Sequence, residues 1–148
     1  MRIVRGPRPW SIRTYCGLNF ASGAFELIKG LLELDEWVHL LAESMPFGTW
    51  TQDDAIVLNA SLFTIVLIPL VAIWFFASKI ARALVTAFNM LIAAMFVSTA
   101  FKEPSFLTEE WLHTVYAIIM IAIVGLLYLP SANQWFAKEA TVDPAVFE

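Results

Sequence analysis

From Ala55 to Ala77 the chain reads AIVLNASLFTIVLIPLVAIWFFA, without a single charged residue. As a helix this stretch would be about 34 Å long, enough to cross a hydrocarbon core of about 30 Å. Two further runs of the same character follow, Ala83 to Phe101 and Trp111 to Leu129. Across all 148 residues 59% are apolar and 15% charged, and mean hydropathy is +0.72. An ordinary soluble domain has about 45–50% and about 25%. These figures exclude a typical water-soluble fold and imply an integral membrane protein, with length for four spans and short loops but no separate soluble domain.

The net charge of −4 and pI near 5.1 argue against a nucleic-acid partner, which would need a concentrated basic surface. One cysteine, Cys16, excludes an internal disulfide and a thiolate metal cluster. Arg2, Arg5, Arg8 and Arg13 precede an apolar segment, as in a secretory signal. That segment is interrupted by Asn19 and Glu26 and lacks a small-x-small cleavage site, so the N-terminus is expected to stay attached.

The fourth candidate span is about Tyr15 to Leu34, with a pattern that allows continuation to residue 43. Glu26, Lys29 and Glu33 each carry an insertion penalty of about 2.5–3.5 kcal/mol at mid-membrane, so hydropathy alone leaves the segment undecided. Positive charge decides it. If the segment crosses, Arg2, Arg5, Arg8, Arg13, Lys79, Arg82 and Lys138 lie inside and only Lys102 outside. If it lies on the cytoplasmic surface, the division becomes six against three, a poorer fit to the positive-inside rule. Crossing also places Trp10, Trp74 and Trp135 at the inner interface and Trp37, Trp50 and Trp111 at the outer one. Asp35, Glu36, Glu43, Asp53 and Asp54 then fall in the first outer loop, which turns at Pro46 and Gly48.

The expected fold is all-α, an integral membrane four-helix up-down-up-down bundle with both termini cytoplasmic and helices at about 15–34, 55–77, 83–101 and 111–129. It forms one transmembrane domain over 1–148, with a basic cytoplasmic N-terminus at 1–14 and a cytoplasmic interfacial segment and tail at 131–148. Within that segment Ser131 is expected to cap a short interfacial helix holding Trp135 and Phe136. Pro69 removes one backbone donor inside the second span and should kink it near Ile65 to Pro69. The expected location is the bacterial inner (plasma) membrane, multi-pass.

The most informative polar feature lies in the first helix. Tyr15, Asn19, Ser22, Glu26, Lys29, Glu33 and Glu36 recur at helical spacing and form one stripe, with Lys29 within reach of Glu26 and Glu33. One reading is an internally neutralised ion cluster that orients the helix or selects a partner. The other makes Glu26 or Glu33 a carboxylate that gains and loses protons during transport. The intramembrane cluster is thus Asn19, Glu26, Lys29 and Glu33, supported by Asn59, Asn89 and His113, groups that either bridge helices or extend a proton path. His39 and His113 are candidate haem b ligands from neighbouring helices. No metal site is expected, and no enzyme signature is present.

Glu26 in the first of four helices is similar to the membrane-embedded glutamate of the small multidrug resistance transporters, and that resemblance implies proton-coupled transport. Lys29 and Glu33 beside the carboxylate, and the strong charge bias, depart from their pattern. Arg8-Pro9-Trp10-Ser11, and Pro130-Ser131 through Trp135-Phe136, resemble the ends of small four-helix bacterial inner-membrane proteins of unassigned function. The leading expectation is a protein acting by association, as accessory subunit, assembly factor or immunity-type binder. Its partners would be the lipid bilayer and another membrane protein or further copies of itself. A small proton-coupled transporter using Glu26 is the alternative, and a haem-binding membrane electron carrier the third.

Overall fold

A computed structural model of the chain describes residues 3–4, 6–102 and 111–137, the side chains at 112 and 113 excepted. Arg2, Arg5, Lys138, the His113 side chain and the tail from residue 138 lie outside the described residues. Every regular element among those described is helical: α1 (Trp10–Leu32), α2 (Leu34–Ser44), α3 (Gln52–Phe76), α4 (Lys79–Lys102), α5 (Trp111–Val124), a 3-10 turn (Gly125–Tyr128) and α6 (Pro130–Ala137). α3 and α4 are long and apolar enough to cross a membrane. Thr114–Tyr128 with Pro130–Ala137 makes a third candidate, bent by 57° at its break. α1 has the length, 23 residues, but its Asn, Glu and Lys residues make it too polar to stand with them.

Helix boundaries follow local hydrogen bonding that hydropathy does not register. The first helix starts at Trp10 rather than Tyr15, because the Pro9 carbonyl accepts the Arg13 N–H at 3.0 Å and proline suits a position where no N–H is required. It ends at Leu32 rather than Leu34. Glu33, at φ −113° and ψ 40°, breaks the helix, and the chain continues as α2 to Ser44, so the allowed continuation is present beyond a bend. α3 starts at Gln52, before Ala55, and runs on through Pro69. Its N-terminus carries a reciprocal cap. Asp54 Oδ2 accepts from the Thr51 N–H at 2.9 Å and the Thr51 hydroxyl at 2.7 Å, while the Asp54 N–H donates to Thr51 Oγ1 at 3.3 Å. α4 starts at Lys79, before Ala83, because Ser78 Oγ accepts the Ala81 N–H at 3.2 Å.

The last expected span ends where expected, before Pro130, but is not one plain α-helix. Its α-helix stops at Val124, tightens into the 3-10 turn, and breaks at Leu129, whose ψ of 153° is extended as a residue before proline prefers. Pro130 opens α6, and the Leu129 carbonyl accepts the Asn133 N–H at 2.9 Å. Ser131 therefore does not cap this helix; its hydroxyl pairs instead with that of Ser11 at 2.9 Å.

The chain divides into two compact units, Gly17–Leu70 and the combination of Met1–Cys16 with Val71–Glu148. In the second of these, Ile12, Tyr15, Ile73, Ala77, Leu127, Ala132, Trp135 and Phe136 are almost completely buried. α6 is docked by this core. Trp135 Nε1 donates to the Ile73 carbonyl at 3.0 Å, so its indole is held by protein and is not displayed to a headgroup layer. Ala77 adopts φ +49°, a left-handed conformation that lets the chain turn between α3 and α4. Most of the large apolar side chains of α4, including Leu84, Phe88, Met90 and Met95, remain exposed, as a lipid-facing helix requires.

Inside Gly17–Leu70, α1 meets α3 at two glycines. Gly23 lies against Phe63 and Val66, where a Cβ would fit at 3.4 Å. At Gly30 a Cβ would collide with Asn59 Oδ1, stand 2.8 Å from Asn59 Cγ, and stand 3.0 Å from Trp37 Nε1. Glycine is required there by the close approach of these side chains, not by backbone conformation.

Candidate functional site

The polar stripe of α1 does not occupy one environment. Tyr15 is buried, Asn19 and Ser22 half-buried, Glu26 and Lys29 exposed, Glu33 half-buried and Glu36 exposed. Lys29 Nζ lies 3.7 Å from Glu33 Oε2, one helical turn away, and both side chains retain large exposure. Glu26 makes no ion pair among the described residues. Helical spacing allowed Lys29 both carboxylates, and the structure brings it to Glu33 alone. Around these charges the same helix exposes Phe25, Ile28, Leu31 and Leu32. The result is a charged patch within an apolar face, both directed away from the chain's own packing.

α2 continues the acidic character. Asp35 accepts a hydrogen bond from Gln52 Nε2 at 2.8 Å, joining α2 to the start of α3. His39 Nδ1 and Glu43 Oε1 are 3.4 Å apart on the exposed side, a contact that becomes an ion pair when His39 is protonated. With Glu36 and Leu40 they border a shallow surface cleft. His39 is therefore placed on an open face, while its expected haem-ligating companion, His113, has a side chain outside the described residues.

The supporting amides are satisfied within their own helices. Asn59 Nδ2 donates to the Ala55 carbonyl at 3.0 Å, and Asn89 Nδ2 donates to Val85 at the same distance. Ser61, Thr64, Thr86 and Thr99 bond back to carbonyls four residues earlier in the same way. Such bonds hide polar groups inside an apolar helix without needing a neighbour. Asn59 also approaches Gly30, and the Thr86 hydroxyl also pairs with that of Tyr128 at 2.7 Å.

A second constellation, in the unit containing the chain start and α4 to α6, escapes sequence inspection because its cations read only as topology signals. The Arg8 guanidinium lies 5.4 Å from the Trp74 ring, 5.9 Å from Phe75 and 5.6 Å from Trp135. Arg82 stacks on Tyr128 at 3.9 Å and stands 5.0 Å from Phe136. Each contact of this kind contributes about 0.5–2 kcal/mol, more where water is excluded. The Arg82 Nη1 also donates to Asn133 Oδ1 at 2.8 Å, and Asn133 Nδ2 donates to the Tyr128 carbonyl at 3.1 Å. The run Asn133-Gln134-Trp135-Phe136, which supplies three of these partners, was the available signal.

No protein-family model, curated protein or solved structure matches this chain at a significant level. Among the described residues no group of three or more His, Cys, Asp or Glu side chains is arranged to hold a metal ion.

Proposed function

We propose that the chain is a four-span membrane protein of the bacterial inner membrane, with both termini cytoplasmic, that works by associating with another membrane protein through α1. One observation carries this reading: Glu26 and Lys29 are exposed beside exposed Phe25 and Ile28. On a crossing helix those charges would meet hydrocarbon, at about 2.5–3.5 kcal/mol each near the centre. A partner helix bearing polar groups offsets that cost and excludes lipid from the patch. α3 and α4 supply the membrane anchor, and the charged face of α1 supplies selectivity.

A photo-crosslinking residue at Phe25, compared with one at Phe88 on α4, tests this in native membranes. Association predicts a discrete protein adduct from Phe25 and none from Phe88. Lipid adducts alone from both positions, with the chain inserted, would contradict it. A second reading, proton-coupled transport by Glu26, is favoured by the absence of an ion pair on that carboxylate among the described residues. It predicts that Glu26→Gln abolishes proton flux in liposomes while leaving any Phe25 adduct intact.

A further inference from the structure

The geometry points to an anion site for a phosphate group, supplied by an acidic lipid headgroup, in the cleft between the start of α4 and α6. The cleft has a volume of about 400 Å³ and is lined by Lys79, Arg82, Tyr128, Asn133 and Phe136, with Ala83 and Ala137 at its margin. Two of these side chains are cations, two more carry hydrogen-bonding groups, and among the described residues the lining holds no acidic side chain. The guanidinium is fixed before any ligand arrives. Tyr128 lies beneath it at 3.9 Å, and Asn133 holds one nitrogen at 2.8 Å. Tyr128 is itself held, since its hydroxyl shares a 2.7 Å hydrogen bond with Thr86, whose hydroxyl donates to the Arg82 carbonyl at 2.9 Å.

Arg82 makes no ion pair among the described residues, and its one side-chain hydrogen bond uses a neutral acceptor, so its positive charge is not cancelled. A planar fork with several remaining N–H donors suits the oxygens of a phosphate. Lys79 adds a second charge at the rim, and the positive end of the α4 dipole adds to the same field. The choice of a lipid source rests on the cytoplasmic placement of Lys79 and Arg82 proposed above, where anionic headgroups meet basic pockets between helices. The phosphate chemistry itself does not depend on sidedness.

Purified full-length chain in neutral detergent is titrated separately with short-chain phosphatidylglycerol, the matched phosphatidylcholine and inorganic phosphate, and adducts are followed by native mass spectrometry. Phosphatidylglycerol should bind at least about tenfold more tightly than phosphatidylcholine, and Lys79→Gln and Arg82→Gln should each weaken it about tenfold, as expected for loss of one charge-assisted contact. Lys102→Gln, outside the cleft, should change nothing. Inorganic phosphate that binds alone and displaces the lipid would support the site with a soluble phosphate as its source; a lipid unaffected by phosphate would support the headgroup. If Arg82→Gln loses helicity, Lys79→Gln and the charge-preserving Arg82→Lys decide the question. Equal binding of the two lipids together with no phosphate binding, or phosphatidylglycerol binding insensitive to Lys79→Gln, would overturn the proposal.

Discussion

Gly30→Ala tests how α1 is seated in its unit. The added methyl would collide with Asn59 Oδ1 and crowd Asn59 Cγ at 2.8 Å and Trp37 Nε1 at 3.0 Å. Asn59 is 5% exposed and holds the Ala55 carbonyl at 3.0 Å, so moving it aside sacrifices that bond. Overpacking costs about 1–3 kcal/mol, and the broken hydrogen bond about 1 kcal/mol. Alanine recovers about 1 kcal/mol in helix propensity. The net expectation is a loss of about 1–3 kcal/mol, read by reversible unfolding in mixed detergent and SDS micelles with helicity as the signal. Asn59→Ala should remove much of the collision, so the double variant should lose less than the sum of the single losses. A Gly30→Ala variant as stable as the parent, with purely additive behaviour alongside Asn59→Ala, would refute the close contact between α1 and α3.

Trp135→Phe removes the bond to the Ile73 carbonyl while keeping much of the ring. It should loosen α6 by about 1–3 kcal/mol because a buried acceptor loses its donor, seen as faster amide exchange over residues 131–137. Ala77→Val places a β-branched side chain at φ +49° in a fully buried position and should cost more than about 2 kcal/mol in the same unfolding assay, whereas Ala77→Gly should be tolerated. Thr51→Ala takes away the cap of α3 and should cost about 1 kcal/mol, with fraying of its first turn measured by amide exchange.

What hydropathy can see, it located well. The runs at 55–77 and 83–101 are the helices long and apolar enough to cross a membrane, because an uninterrupted apolar stretch leaves little choice of conformation in lipid. The ends of those helices were misplaced by a few residues because Thr51, Asp54 and Ser78 act through short-range hydrogen bonds that carry no hydropathy signal. The bend at Glu33 was hidden for a different reason. Neither proline nor glycine marks it, and helix-type bonds persist on both sides, from Glu33 N–H to Lys29 and from Trp37 N–H to Glu33. For the site, periodicity put Glu26, Lys29 and Glu33 on one stripe but could not choose between partners three residues before and four residues after the lysine. Trp135 illustrates the remaining gap: an amphipathic ring can satisfy its N–H at a headgroup or at a backbone carbonyl, and here Ile73 provides the carbonyl.

The account depends most on α1 crossing the membrane with its charged face presented to a partner. Reporter fusions after Asp53 and after Glu148, read in intact cells, test this directly. A crossing α1 places Asp53 on the outer side and Glu148 in the cytoplasm, so the two reporters should give opposite signals. Signals from the same side would contradict the account, either by leaving α1 on the membrane surface or by changing the number of spans that follow it.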